Sequence, residues 1–360
     1  MTAVEVGLEK IVVRGFLVDF RVCSEDVLNV SLDLSGLGWS QYGKYIDELS
    51  SLLSEIDREY AARDVRGRGL RARYSRVRVA GRTMRKRVLR FSPYPSRFSN
   101  ALKAIRAKWY AVLNRHTVVL GRGIEAAGGV EFRRYIYFLP EDRVKEFLGE
   151  VEELNRMVRE VSEWVASYNE SGHMQRVEEL VSKIVGHPMR LRRAEVPEVE
   201  VKLYPIRLDP RVVDEYVDES VRREIEKTRR RLLEEATMDF QKRLSSLLMT
   251  ISSYVEVMAK GGRGRAKAAE RLMATLDETV ELYSTFGCQA ILKDVVEASK
   301  QLLAGIIKKE MKTVVEAVDR LADAAGVKRQ DDPAKTVKQA ALKLDTELSP
   351  RLKALLSVLP

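Results

Sequence analysis

The chain has 360 residues, of which 45% are hydrophobic and 32% are charged, so it can bury a sizeable core and its length predicts two or three domains. Its two cysteines, Cys23 and Cys288, fit no metal-ligand spacing, which argues against a disulfide scaffold or a zinc site. The formal net charge is +10, yet residues 65–123 alone hold 17 lysines and arginines and no acid, which leaves 46 basic against 53 acidic residues elsewhere.

Other features of the sequence indicate the compartment and the kind of source organism. Glu5, Glu9 and Lys10 interrupt the region where a signal peptide needs its apolar run, and no 18-residue apolar stretch occurs, so we expect a cytoplasmic protein without a membrane span. Five asparagines and seven glutamines are few for this length, a bias that favours a thermophilic source. In such a source a disulfide between Cys23 and Cys288 stays open as a minor alternative.

Residues 1–140 are predicted to form an α+β domain. Alternation of apolar and polar residues indicates strands, and apolar spacing of three and four indicates helices. The predicted elements are strands over 11–22 and 28–34, a helix over 42–62, a helix that Ser99 caps, and strands over 116–123 and 129–139.

Beyond residue 140 the chain is predicted to be mainly α-helical. A helix with a coiled-coil seam from Val144 to Tyr168 needs a partner helix, which we expect either from the helix after Arg211 or from a second chain, and hence a homodimer. The predicted segments are 141–186 with this helix and a short one, a proline-rich connector over 187–210 with one edge strand, a long antiparallel helical hairpin or bundle over 211–325, and a short helical tail over 326–360.

The basic segment contains an arginine-rich insert, residues 63–91, in which arginines alternate with apolar residues. Alternation predicts a β-hairpin that turns at Ala80 and Gly81 and carries its guanidinium groups along one ribbon, where they can bind phosphates through paired hydrogen bonds. We expect low sequence specificity, because backbone phosphates carry no sequence information. The candidate nucleic-acid-binding residues are Arg66, Arg68, Arg71, Arg73, Arg76, Arg78, Arg82, Arg85, Lys86, Arg87, Arg90 and Arg97.

Other interpretations of this segment stay open. The arginines can pair with acidic helices of the same chain or of another subunit, or they can meet an anionic membrane surface. Aromatic residues near the insert offer stacking surfaces for unpaired bases, although helical spacing also places several of them in a core. These aromatic residues are Tyr74, Phe91, Tyr94, Phe98, Trp109 and Tyr110.

The remaining motifs are weaker. A glycine-rich reversal over 260–267 is predicted between two helices and doubles as a secondary anion loop formed by Lys260, Arg263, Arg265 and Lys267. The three histidines stand without partners at ligand spacing, and no hydrolase or nucleotide-binding motif occurs. We therefore expect no enzymatic activity, no cofactor and no metal, and a metal-dependent nuclease whose acids are scattered along the chain stays open as a third alternative.

Three stretches carry a resemblance to a known family. LEKIVVRGFLVDFRV, NALKAIRAKWYAVLNRHTVVLGRG and YIYFLPEDRVKEFLGEVEELNRMVREVSEWVASYN, within residues 8–170, resemble a family of uncharacterised phage and plasmid proteins. Arg115, His116, Leu139 and Pro140 stand at positions matching that pattern. The family's genes often neighbour MoxR-type AAA+ ATPases and von Willebrand factor A proteins, so the resemblance implies an adaptor for an AAA+ ATPase. The arginine-rich insert departs from the family's pattern.

The sequence thus predicts a nucleic-acid-binding protein, for DNA or RNA, of virus or plasmid origin. The alternative is an interaction scaffold in which the long helices contact an AAA+ ATPase and the basic patch meets an acidic protein.

Overall fold

The computed structural model describes residues 13–35, 37, 39–60, 73–79, 82–127, 130–208, 219–261 and 266–347. The chain divides into two compact units, each assembled from separate stretches of sequence. The ribbon unit comprises Phe20–Val112 and Glu146–Val201, and the helical unit comprises Met1–Asp19, Leu113–Lys145 and Lys202–Pro360. These units cut across the segments predicted from sequence, because strands distant along the chain pair in one sheet.

A three-stranded sheet in the order β2-β4-β3 lies in the ribbon unit. Its strands are β2 (Val30–Asp33), β3 (Arg73–Val79) and β4 (Arg82–Phe91), and all pairs are antiparallel. Along β2 the side chains alternate as predicted, with Leu32 and Leu34 buried and Ser31 exposed. Leu28, which the sequence placed in this strand, instead ends a 3₁₀ turn at Glu25–Leu28 that Ser24 caps.

Four helices of the chain contribute to this unit: α1 (Trp39–Tyr60), α2 (Ser96–His116), α3 (Val144–Asn169) and α4 (Gly172–Val185). The predicted seam of α3 is buried from Phe147 to Tyr168. It packs against α2 in antiparallel fashion: Phe98 meets Trp164 at 5.8 Å between ring centroids, and Trp109 meets Phe147 at 6.0 Å. Within the ribbon unit α2 therefore contacts this seam at both of its ends, Phe147 and Tyr168, and a homodimer stays a prediction.

An extended segment, residues 187–199, runs over these helices and is held mainly by side chains. Asn155 bonds both backbone groups of Val199, accepting from its N–H at 2.7 Å and donating to its carbonyl at 3.1 Å. The Tyr94 hydroxyl accepts from the Ala194 N–H at 2.7 Å. Buried backbone groups need such partners, because leaving one unpaired away from water destabilises the fold.

In the helical unit the sheet has four strands in the order β5-β6-β1-β7. Its strands are β1 (Val13–Arg21, whose last two residues belong to the ribbon unit), β5 (Val118–Ala127), β6 (Val130–Pro140) and β7 (Glu200–Leu208, whose first two do). β7 is the edge strand predicted in the connector and contains Pro205, which an edge tolerates because no ladder hydrogen bond is lost there.

Helices α5 (Glu219–Ala259), α6 (Ala266–Leu282), α7 (Cys288–Ile291), α8 (Lys293–Lys308), α9 (Met311–Ala325) and α10 (Pro333–Thr346) complete this unit. They bury a continuous apolar core that includes Phe240, Phe286 and Leu302. Gly305 lets α8 approach α9 closely, since a Cβ there would stand 2.9 Å from the Val314 side chain. The predicted α+β N-terminal part followed by a mainly helical C-terminal part is thus confirmed.

Both cysteines are free and buried thiols, so the minor disulfide alternative is wrong. Burial raises the pKa of the Cys288 thiol to about 12, and it raises the pKa of Cys23 as well. Among the described residues, none of the helices combines the length and the apolar character needed to cross a membrane.

Candidate nucleic-acid interface

The β3–β4 hairpin extends past the third strand of its sheet. β2 pairs with β4 only between Val88 and Phe91, whereas β3 pairs with β4 from Val88 back to Arg82. Residues 75–79 and 82–86 therefore form a two-stranded arm, and five strand residues at a rise of about 3.4 Å each give it a length of about 17 Å. The register pairs Val79 with Arg82, and the predicted turn at Ala80 and Gly81 lies outside the described residues.

Alternate positions along β4 change from apolar residues to arginines toward the tip of the hairpin. Leu89 and Phe91 occupy alternate positions of β4 and are buried in the core of the ribbon unit. The alternate positions that follow along β4 are held by Arg87 and then Arg85, and the register pairs Arg85 with Arg76. Arg78 follows on β3. These arginine positions thus continue along strands whose base carries the buried side chains of Leu89 and Phe91.

Two arginines hold directly opposed positions in the register of the arm. Arg76 and Arg85 are cross-strand partners, and β3 and β4 contain no aspartate or glutamate. Like charges at directly opposed positions of an antiparallel pair destabilise the pairing by a few tenths of a kcal/mol to about 1 kcal/mol. An anion bound between them would relieve this repulsion.

Three candidate arginines near the base of the hairpin contact other side chains of the ribbon unit. Arg87 donates to the Tyr42 hydroxyl at 2.7 Å, and Arg90 pairs with Asp26 at 2.5 Å. The guanidinium of Arg97 lies 4.5 Å from the centre of the Trp164 ring. The Arg90–Asp26 pair leaves both side chains more than 60% exposed, at 61% and 66%, so it contributes at most about 1 kcal/mol.

The other candidates divide into two groups. Arg66, Arg68 and Arg71 of the insert, and Arg263 and Arg265 of the secondary anion loop, lie outside the described residues. Arg73, Arg76, Arg78, Arg82, Arg85 and Lys86 lie in the paired strands of the hairpin.

The reversal that was expected to form the secondary anion loop falls between α5, which ends at Ala259, and α6, which begins at Ala266, and residues 262–265 of it lie outside the described residues. Lys260 there pairs with Glu256 of α5 at 2.5 Å, and Lys267 is exposed. Described residues alone therefore bring together no set of cations at this loop.

Most of the aromatic side chains proposed for stacking belong to the core. Phe91, Tyr94, Phe98 and Trp109 are all buried, so none of them presents a free ring face to a base. Tyr110 is different, because it is 41% exposed on α2 with the guanidinium of Arg106 6.0 Å from its ring centre. Tyr74 lies opposite Arg87 in the register of the hairpin.

Two histidines that were predicted to be structural lie in the ribbon unit. His173 stacks on Tyr168 with 6.0 Å between ring centres, and its Nε2 lies 3.2 Å from Glu59. His187 is exposed, and its Nδ1 lies 3.2 Å from the Pro188 carbonyl oxygen. The third, His116, is buried at the end of α2. The structural roles of the three histidines stay a prediction.

Sequence reasoning missed two features beside the hairpin. The 3₁₀ turn brings Glu25 to 3.7 Å from Arg106 and Asp26 to Arg90, so it supplies local counter-charges to the basic surface. Lys103 and Lys108 are exposed on α2. Both lie in the acid-free stretch 65–123, and that charge signal already extended from the insert into this helix.

Comparison with known proteins adds no assignment. No family model, no curated protein and no solved structure matches the chain.

Proposed function

We propose that this protein binds nucleic acid through the arm of its ribbon unit. The observation that carries the proposal is the register of β3 and β4, which sets Arg76 opposite Arg85 on a two-stranded ribbon free of acids. Such a concentration of like charge raises the energy of the free protein and favours a polyanionic ligand.

Phosphate contact is the chemistry this arrangement suits. A guanidinium group is planar, stays charged at any physiological pH and can donate two parallel hydrogen bonds to one phosphate. A two-stranded ribbon fits a groove of a duplex, and it can equally follow a single strand. Contacts to the backbone position the protein without distinguishing bases, so we expect weak sequence preference and strong dependence on salt.

Pairing within the chain is a weaker explanation of the arm's charge. At the base of the hairpin Arg90 pairs with Asp26 and Arg87 donates to the Tyr42 hydroxyl, while Arg97 on α2 lies over the Trp164 ring. The strands of the arm carry no acid of their own. Surface ion pairs of about 1 kcal/mol or less also give little reason to concentrate so many arginines.

Binding across a salt series tests the proposal. Fluorescence anisotropy with labelled duplex DNA, single-stranded DNA and RNA would compare the wild type with an Arg76→Gln/Arg78→Gln/Arg85→Gln variant. If each arginine contacts one phosphate, the slope of log affinity against log salt falls by about 2.7 units on a duplex, or about 2.1 on a single strand.

A control variant that loses the same charge elsewhere distinguishes direct contact with phosphates from general electrostatic attraction to the nucleic acid. Lys312, Lys335 and Lys338 are exposed on α9 and α10 of the helical unit, so their triple replacement by Gln removes the same net charge. We expect it to retain the wild-type slope. If the wild type binds none of the three probes at low salt, the proposal fails, and an acidic protein partner such as an ATPase complex becomes the interpretation to test.

A further inference from the structure

The solvent-facing side of α2 forms a second basic surface in the ribbon unit. From Ser96 to His116 this helix contains no acid, and its apolar residues, among them Ile105 and Trp109, are buried against the core. Arg97, Lys103 and Lys108 are exposed. A surface helix usually mixes both signs of charge, so a one-signed face indicates an anionic partner.

The cations lie on both edges of this face. A rotation of about 100° per residue puts Lys103 on one edge with Tyr110, and Arg97 with Lys108 on the other. Between them the face is exposed and mostly small, with Asn100, Ala104, Ala107 and Ala111. Small side chains let a polymer backbone approach the helix closely while the longer basic side chains reach past it on each side.

Neighbouring groups leave the lysines available. Arg106, on the same edge as Lys103, pairs with Glu25 at 3.7 Å. Lys108 contacts the sulfur of Met157 at 3.4 Å, which is a weak acceptor and does not neutralise the ammonium. Arg97 lies over the Trp164 ring, an interaction of about 0.5 to 1 kcal/mol at an exposed site.

We propose that the outer face of α2 is a second phosphate-binding surface for the same nucleic acid strand or duplex, with Lys103 and Lys108 as contacting residues. This inference rests on the proposed function, the binding of nucleic acid by the ribbon unit. Five residues at a rise of 1.5 Å separate the two lysines by about 7.5 Å along the helix axis, so they contact different phosphates. Their ammonium groups act as mobile point charges, and the surface therefore adds affinity without base selectivity.

A Lys103→Gln/Lys108→Gln variant tests this surface in the same anisotropy assay. Two lost contacts lower the salt slope by about 1.8 units on a duplex, or about 1.4 on a single strand. A Lys103→Arg/Lys108→Arg variant keeps the charge and restores the slope. The matched control is Lys312→Gln/Lys338→Gln in the helical unit, and equal thermal unfolding midpoints establish that all variants are folded.

The outcomes separate this inference from the proposed function. If the lysine variant keeps the wild-type slope and affinity while the arginine variant of the arm loses both, the α2 surface is refuted and the arm stands. If the lysine variant loses slope while the arm variant does not, the α2 surface is supported and the arm is refuted. Failure of the wild type to bind any probe refutes both.

Discussion

Replacing Tyr94 by Phe removes one buried hydroxyl that joins separate segments of the ribbon unit. Tyr94 is 1% exposed, and its hydroxyl donates to Asn169 Oδ1 at 2.7 Å while it accepts from the Ala194 N–H at 2.7 Å. Phenylalanine keeps the ring, which lies 5.3 Å from the Tyr168 ring, so little apolar burial is lost. Each polar group left unpaired away from water costs about 1 to 3 kcal/mol, and we expect a total of about 2 to 4 kcal/mol.

Tryptophan fluorescence during urea unfolding measures this loss selectively. The three tryptophans, Trp39, Trp109 and Trp164, all belong to the ribbon unit, so their emission reports the unfolding of that unit. Tyr204→Phe is the matched control, because Tyr204 is 52% exposed in the helical unit and its change is expected within about 0.5 kcal/mol of the wild type. Hydrogen exchange at the Ala194 amide gives a local measurement of the same bond.

Two measurements on Tyr94→Phe and Tyr204→Phe decide whether the Tyr94 hydroxyl holds the extended segment. Tyr94→Phe must lower the unfolding midpoint, and it must accelerate exchange at Ala194 more than at amides of α1. A midpoint equal to that of Tyr204→Phe, with unchanged exchange at Ala194, would refute the view that side-chain hydrogen bonds hold the extended segment in place.

The two buried thiols, the exposed Arg90–Asp26 pair and the contacts of Arg243 each lead to a further prediction. Because burial raises the thiol pKa of Cys23 and Cys288, we expect neither thiol to react with a disulfide reagent in the native protein at pH 8 and both to react after urea unfolding. The raised pKa of Cys288 also stabilises the native form in which this thiol is protonated. This stabilisation is intact below pH 9 and is lost as the pH rises from 9 through 12, and thermal melts of the wild type and Cys288→Ala at alkaline pH would measure the loss. Asp26→Asn releases Arg90 from an exposed ion pair, so we expect an unchanged melting midpoint. The slope of log affinity against log salt should become steeper by about 0.7 to 0.9. An unchanged slope would exclude Arg90 from the interface. Arg243→Gln removes donors to two backbone carbonyls near the C-terminal end of α2, and calorimetry should show a loss of about 2 to 3 kcal/mol in the helical unit.

Local periodicity predicted the secondary structure well. The alternation of arginines with apolar residues predicted the paired strands β3 and β4, and the steps of three and four predicted α3 from end to end. Both signals are short-range, since they depend on which side of one element is buried. They are therefore visible in a single sequence.

Long-range contacts explain what the sequence did not predict. α2 begins at Ser96, three residues before the predicted cap at Ser99, because Asp57 of α1 accepts the Ser96 N–H at 2.6 Å. A capping group supplied from another helix leaves no local pattern. The contact between the α3 seam and α2 was not predicted for the same reason. α2 lies earlier in the chain, and its apolar face does not indicate which helix packs against it.

The candidate interface was predicted in part. The sequence located the arginine insert and its hairpin, but it could not assign Arg87 to Tyr42 or Arg90 to Asp26, because those pairs join residues more than 40 positions apart. Lys103 and Lys108 lay inside the acid-free stretch and were left out of the candidate residues. Helical periodicity alone would have placed both on the polar side of α2.

The interleaving of the two units sets the order in which a ribosome can complete them. β1 lies between β6 and β7 in its sheet, yet Lys202 follows Asp19 by 183 residues. At about 5 to 20 residues per second, the nascent chain holds β1 without its last neighbour for roughly 10 to 40 s. Fragments that stop near residue 140 or residue 200 would leave a strand edge and apolar helix faces uncovered, so chaperone binding and aggregation of truncated chains follow from the same topology.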